Sequence, residues 1–286
     1  MSDPGTERGR VVLVATPIGN LGDLSPRAVE TLAGADLICC EDTRRTRGLL
    51  THAGISGVPL IALHEHNEAS TAARVVARAA AGAVVAVVSD AGMPAISDPG
   101  ERLVRAAVAA GVTVSVVPGP SAGLAALVAS GLASDRFCFE GFLPRKGGER
   151  AARLAAIAAE PRTTVIYEAP ARVARTISDL AAACGPERRL AVGRELTKLH
   201  EEIWRGTMAD AVARVARGEP RGEFVVVVAG QPPRRELVTD GEVREALAAR
   251  LEEGEDRRAA VAGVVADLGV PRRQAYQLAL ELRADR

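Results

Sequence analysis

Neither of the common glycine-rich phosphate cradles occurs in this chain. No G-x-G-x-x-G follows the first apolar run and no G-x-x-x-x-G-K-[ST] occurs anywhere, which argues against the usual routes to NAD and ATP. Lysine is almost missing: of 36 Lys and Arg residues only Lys146 and Lys198 are lysine, so a compact ammonium with a movable pKa is kept at two loop-like positions. There is no CxxC. The cysteines are Cys39, Cys40, Cys138 and Cys184, and the first two are adjacent inside an apolar run, which fits a reducing compartment better than zinc or a disulfide framework. Net charge is also lacking, with 36 basic against 36 acidic residues, so any nucleic-acid contact must come from local patches. No apolar run reaches the roughly 18 to 20 residues that span a bilayer, and the acidic, glycine-containing start lacks a secretory n-region and h-region. The expectation is a cytoplasmic protein without membrane contact. Gly119 to Gly123 spells G-x-S-x-G, but Pro120 stands directly before the serine, and the one histidine that follows it, His200, lies in the second domain, so a serine hydrolase is set aside. His64-Glu65-His66 offers two imidazoles with no further Cys or His cluster nearby, and no metal is expected.

What is present is a strand-then-helix alternation. Short, nearly continuous apolar runs at Val11 to Ala15, Leu37 to Cys40, Leu60 to Leu63, Val84 to Val88 and Val112 to Val117 predict strands covered on both faces, hence a parallel doubly wound sheet. Ser25-Pro26 and Asp98-Pro99 read as helix N-caps followed by proline, and Gly54, Gly82 and Gly111 as helix ends. A second series follows at Phe137 to Phe142, Thr164 to Tyr167, Leu190 to Val192, Glu202 to Trp204 and Phe224 to Ala229. Two of its strands, within Leu190 to Gly206, have no helix between them, which predicts a mixed sheet. Gln231 to Arg235 reads as a linker. Beyond it, Val261, Val264, Val265 and Leu268, then Ala275, Leu278, Ala279 and Leu282, have the spacing of two amphipathic helices. Their junction, Leu268-Gly269-Val270-Pro271, is compatible with a helix-turn-helix carrying Arg272-Arg273 or with a small capping bundle. The expected organisation is an N-terminal α/β domain over 10–132, a second α/β domain over 133–230, a linker over 231–239 and a helical unit over 240–286.

In an open parallel sheet, ligands bind at the carboxyl ends of the strands. Those ends carry Thr16 to Asn20, Glu41 to Thr46, His64 to Asn67, Ser89 to Pro94 and Pro118 to Ala122. The long Gly/Pro loop Ser89 to Gly100 offers backbone amides to a flat polar ligand, with Asp90 to accept from a ribose or an amine. Glu41-Asp42 before Arg44-Arg45 is either a self-neutralised helix cap or an anion grip in which guanidinium pairs face phosphate.

These loops carry a resemblance. Thr16-Pro17-Ile18-Gly19-Asn20-Leu21-Gly22-Asp23, Glu41-Asp42-Thr43-Arg44, the Ser89 to Gly100 loop, Pro118 to Ala122 and Gly141-Phe142-Leu143-Pro144-Arg145-Lys146 resemble the tetrapyrrole methylase superfamily, most of all its ribosomal RNA branch. Tyr167 to Arg172, Arg194 to Lys198 and Gly222 to Phe224 extend the likeness over about residues 10 to 230, and the tail resembles that branch's helix-turn-helix unit. Ala171 departs from the pattern, which has histidine before the arginine. The resemblance implies 2'-O-methylation of a cytidine in the decoding region of 16S ribosomal RNA, within the 30S subunit, by a homodimer using S-adenosyl-L-methionine. It implies cofactor contacts at Pro17, Ile18, Asp90, Ala91, Gly92, Met93, Ile96, Ser97, Ser121, Ala122 and Tyr167. Lys198 and Lys146 are the candidates for activating the ribose hydroxyl, as a base of lowered pKa or as a charge beside the oxygen, with Glu168 and Asp23 as competing bases. Arg44, Arg45, Arg145 and Lys146 are the candidates for gripping RNA phosphates. Two other readings remain: a methyltransferase of the same fold acting on a small precorrin-type tetrapyrrole, and a non-catalytic RNA-binding or ribosome-assembly module.

Overall fold

The computed structural model describes residues 9–64, 67–216, 220–232 and 238–282. The chain divides into two compact units, 1–231 and 232–286.

The first unit begins with a parallel sheet of β1 (Arg10–Val14), β2 (Leu37–Cys40), β3 (Leu60–Ala62), β4 (Val84–Val88) and β5 (Thr113–Val117), in the order β3-β2-β4-β1-β5. Its helices are α1 (Pro26–Ala33), α2 (Thr43–His52), α3 (Glu68–Ala80), α4 (Glu101–Ala109) and α5 (Ala122–Ser130). Successive side chains of a strand point to opposite faces, and in β1, β2 and β4 both faces are buried, which is why those strands read as unbroken apolar runs. Val11, Leu13, Val85 and Val87 meet Val75 of α3 and Leu103 of α4, whereas Val12, Val14, Ala86 and Val88 meet Leu32 of α1 and Leu50 of α2. Burial in β2 pushes the Cys39 thiol up to about 12, making it an inert core group.

The second sheet consists of β6 (Phe137–Phe142), β7 (Thr163–Glu168), β8 (Arg189–Arg194), β9 (Glu202–Thr207) and β10 (Phe224–Val228), in the order β6-β7-β10-β8-β9. Only β6 and β7 pair in parallel; the sheet is mixed. α6 (Gly147–Ala159), α7 (Pro170–Cys184) and α8 (Met208–Val215) cover one face. The other face takes Ala126 and Leu127 of α5, together with Ile18 from the loop after β1, against Val165, Ala191, Val225 and Val227. α5 therefore follows the first sheet in sequence and seals the second in space.

Ser25 caps α1 as expected, its hydroxyl accepting from the Ala28 N–H. Asp98-Pro99 does not cap α4: the N-cap is Gly100, at φ 133°, and the donors at that helix end are satisfied from α3. Buried Glu68 accepts from the Gly100, Arg102 and Leu103 N–H groups at 3.0, 2.8 and 3.3 Å. A carboxylate from another element performs the task that the local sequence assigns to Asp98.

The second unit is a bundle of α9 (Asp240–Glu252), α10 (Arg257–Leu268) and α11 (Arg272–Glu281) around Val243, Leu247, Val261, Val264 and Leu278. Gly269 ends α10 in the left-handed conformation, and Pro271 is the N-cap of α11. Among the described residues no helix is long and apolar enough to cross a membrane. Glu65 and His66 of the histidine pair lie outside the described residues, as do Arg217 and Pro233 to Leu237.

Candidate active site

The loops after β1 and β4, on neighbouring strands, are stitched into one floor. Thr16 N–H donates to the Gly92 carbonyl at 2.9 Å, Gly92 N–H returns a bond to Thr16 at 3.0 Å, and the Thr16 hydroxyl donates to the Ser89 carbonyl at 3.2 Å. Gly92 adopts φ 80°, and a Cβ there would stand 3.3 Å from Ile18 Cγ2, so glycine both makes the turn and lets the loops close up.

Above this floor lies a cavity of about 470 Å³, walled by both sheets. The first sheet contributes Ile18, Glu41, Arg45, the loop from Asp90 to Met93, then Ile96 to Asp98, and Ser121-Ala122; the second contributes Phe142, Tyr167 to Pro170, Leu196 and Glu223 to Val225. A second cavity of about 290 Å³ shares Ile18, Arg45, Asp90, Ala91 and Glu223 with it, and adds Pro17, Gly19 and Lys198. Ten of the eleven expected cofactor residues, Ile18, Asp90, Ala91, Gly92, Met93, Ile96, Ser97, Ser121, Ala122 and Tyr167, line the larger cavity, and Pro17 lines the smaller. Tyr167 is held by the Gly123 N–H, which donates to its hydroxyl at 3.0 Å, and by edge-on contacts with Phe139 and Phe142. Burial pushes its phenol above the ordinary tyrosine range.

Each Asp90 oxygen has one partner: the Asp42 N–H donates to Oδ1 at 3.0 Å and Arg45 to Oδ2 at 3.3 Å. A carboxylate accepts about four bonds, so Asp90 retains capacity for a ligand. Two acidic residues missed as site residues in the sequence join it. Burial, then the neighbouring Asp90 charge, raises the Glu41 carboxyl; burial, then the Glu41 charge, pushes Asp98 up to about 7. Asp98 was hidden by its resemblance to a helix cap.

The candidate catalytic residues separate. Lys198 faces the smaller cavity with Nζ 2.8 Å from Glu195 Oε1 and 3.0 Å from Glu223 Oε2. Desolvation pulls its pKa down, but the hydrogen bonds to the two carboxylates outweigh it and leave the ammonium above the ordinary lysine range. The lowered pKa that a lysine base requires is absent. The loop that presents it is strained: Glu195 and Thr197 have φ of 50° and 66°, and the Thr197 hydroxyl oxygen is buried with no hydrogen-bond partner. Gly19 lies so close that a Cβ there would be 2.4 Å from Lys198 Cγ.

Glu168 borders the larger cavity but is not a free base. Its Oε2 accepts from the Thr176 hydroxyl at 2.6 Å, and its Oε1 from the Ala169 N–H at 2.9 Å, with Arg172 Nε at 3.1 Å. Both oxygens are engaged in anchoring α7. Asp23 is exposed and lines neither cavity, and Arg145 and Lys146 lie exposed at the start of α6, also outside both cavities. Arg44 pairs with the N-cap of its own helix, its Nη2 3.0 Å from Asp42 Oδ2, and this partner holds the Asp42 carboxyl down at about 2. The self-neutralised cap is formed. Among the described residues no group of three or more His, Cys, Asp or Glu is arranged to hold a metal ion.

The family of tetrapyrrole (corrin/porphyrin) methylases matches residues 10–212. The chain is 48% identical over 278 residues to ribosomal RNA small subunit methyltransferase I of Synechocystis sp., covering 97% of this chain and 99% of that one. To the protein of the same name from Xylella fastidiosa (strain Temecula1) it is 54% identical over 232 residues, 80% and 83% of the two chains. Among solved structures it is similar to the methyltransferase CobJ, with TM-score 0.59 and 25% identity over 78% of this chain and 94% of that one. Uroporphyrin-III C-methyltransferase from Thermus thermophilus complexed with S-adenosyl homocysteine shares the fold, with TM-score 0.54 and 21% identity over 77% and 97%. The overall fold is thus shared with these methyltransferases, and the chain is a methyltransferase of the tetrapyrrole methylase family, belonging to its ribosomal RNA small subunit methyltransferase I group.

Proposed function

We propose that this chain methylates the ribose 2'-hydroxyl of a cytidine in the decoding region of 16S ribosomal RNA, acting as a cytoplasmic homodimer on the 30S subunit. The methyl donor is S-adenosylmethionine, which supplies an electrophilic methyl group on a sulfonium. The observation that carries the reading is the cavity of about 470 Å³ between the two sheets, with an apolar surface at Ile18, Ala91, Met93 and Leu196 and a carboxylate side at Glu41, Asp90 and Asp98. That combination fits a flat nucleoside bearing positive charge. Residues 10–132 and 133–230 then act as two domains with the donor between them.

The acceptor hydroxyl enters by the smaller cavity, where Lys198 meets it. A lysine held protonated by two carboxylates does not take the proton; it stabilises the oxygen as negative charge develops. Glu223 borders both cavities, is hydrogen-bonded to Lys198, and is the carboxylate in position to accept that proton. Arg45 sits at the junction of the cavities, and Arg145 and Lys146 provide exposed cations for RNA phosphates, with Arg272-Arg273 as a further contact. Exposed apolar side chains on α5 (Leu124 and Val128) and on β5 and β6 at the sheet edges (Val116, Phe137 and Phe139) support self-association.

Mass-spectrometric mapping of 16S RNA after incubating unmodified 30S subunits with the protein and isotope-labelled S-adenosylmethionine tests the reading. One labelled cytidine ribose is expected. Label on a base, or cofactor binding without transfer, would replace it with another specificity or with a binding module; transfer to a precorrin but not to RNA would favour the small-tetrapyrrole reading.

A further inference from the structure

Besides Asp98, the charged or titratable groups bordering the larger cavity are Glu41, Arg45, Asp90, Tyr167, Glu168 and Glu223. Most are already compensated: Asp90 by Arg45, Glu168 by Arg172 and Thr176, and Glu223 by Lys198. Glu41 and Asp98 have no ion-pair partner among the described residues; a Ser89 hydrogen bond favours the charged form of Asp98, and an Asp90 backbone hydrogen bond and the Arg45 charge favour that of Glu41, but burial outweighs them at both. The backbone is built to put Asp98 there. Ala95 and Ser97 hold the left-handed conformation at φ 67° and 60°, a costly arrangement for residues with a Cβ, while Glu68 takes over the helix-capping task that would otherwise occupy Asp98.

We propose that Asp98, together with Glu41, is a specificity-determining residue that lets the cavity distinguish the cationic methyl donor from the neutral thioether product. The proposal depends on the assignment of this cavity to the cofactor. S-adenosylmethionine and S-adenosylhomocysteine differ by one methyl group and one positive charge, so shape discriminates weakly and charge must do most of the sorting. At an effective dielectric of about 20, a full charge about 7 Å from a carboxylate changes affinity by roughly ten- to fifty-fold.

The titration of Asp98 gives the proposal a second readout. Burial, followed by the Glu41 charge, holds this carboxyl at about 7. A sulfonium within reach favours the ionised form and lowers that value, so donor binding releases a proton near neutral pH and tightens as pH rises through about 7. The thioether brings no charge and does neither.

The experiment is calorimetric titration of the full chain with S-adenosylmethionine and, separately, S-adenosylhomocysteine at pH 6, 7 and 8, in buffers of differing ionisation enthalpy. For the wild type we expect donor affinity to rise about tenfold between pH 6 and 8 with proton release near pH 7, and product affinity to stay flat. Asp98→Asn is expected to lower the donor-to-product affinity ratio about tenfold and to abolish the proton release. Unchanged ratio and unchanged proton release in this variant would overturn the proposal. Glu41→Gln provides an independent arm: loss of the neighbouring like charge should move the midpoint of the donor's pH dependence to lower pH, and an unmoved midpoint would also contradict the proposal. If both ligands bind but leave Tyr167 and Ile96 unprotected from chemical footprinting, the cavity assignment fails. If both protect those residues without charge preference, only the role of Asp98 fails.

Discussion

Lys198 and Asp98 are both carried by strained loops, and their surroundings drive their charges in opposite directions. Two carboxylates keep Lys198 charged, so it is suited to stabilising an oxyanion. Lys198→Met is expected to leave the dissociation constant for the methyl donor within about threefold of wild type and to reduce single-turnover methyl transfer by roughly 10²- to 10³-fold. Near-normal turnover would remove Lys198 from the chemistry. Burial, then the Glu41 charge, raises the Asp98 carboxyl to about 7, and this has a consequence for stability. Its folded pKa of about 7 exceeds the unfolded value of 3.8, so its contribution is fully present below about pH 4 and is lost as pH rises through about 7. Thermal melts of the cofactor-free chain should therefore show Asp98→Asn gaining stability over wild type by an amount that grows between about pH 4 and 7 and then levels off; a pH-independent difference would contradict this. The lysine could be singled out in the sequence because the chain otherwise uses arginine. The surroundings of Glu168 could not: its suitability as a base is cancelled by Thr176, Ala169 and Arg172, only one of which could be guessed from an i, i+4 helical spacing.

At the level of elements, the site depends on close approaches between loops distant in sequence. Gly19 and Lys198 belong to different sheets, and the missing Cβ at Gly19 is what lets the strained Glu195 to Lys198 loop close against the loop after β1. Gly19→Ala should displace that loop, lowering the transfer rate by about 10²-fold with little change in the thermal midpoint; stopped single-turnover kinetics beside a melting curve would reveal an unaffected rate if the contact were unimportant. The strands were legible because burial on both faces demands continuous apolar runs, and the C-terminal loops because a parallel sheet exposes them on one edge. The start of α4 was not legible. Its cap comes from Glu68, more than thirty residues upstream, a pairing that exists only once α3 and α4 have packed.

For the molecule as a whole, α5 is the informative element. It is apolar on every side: one side fills the second sheet's lower face through Ala126 and Leu127, while Leu124 and Val128 remain 51% and 74% exposed. A helix apolar all round is expected to be buried, so the exposed side calls for a partner, and a second copy of this chain is the simplest one. If the proposed homodimer uses this face, Val128→Glu should shift sedimentation from dimer to monomer without unfolding the chain; an unchanged sedimentation coefficient would contradict a dimer through α5. The sequence alone offered the dimer only through family resemblance, because an apolar helix reads the same whether a sheet or another subunit covers it.

All of this depends on the cleft between the two sheets being where the donor sits. A crystal structure of the full chain with S-adenosylhomocysteine measures that directly. The account predicts the nucleoside in the larger cavity, against Ile18, Met93 and Tyr167, with its sulfur turned toward the cavity that Lys198 lines. An empty cleft with the nucleoside bound elsewhere on the chain would contradict it.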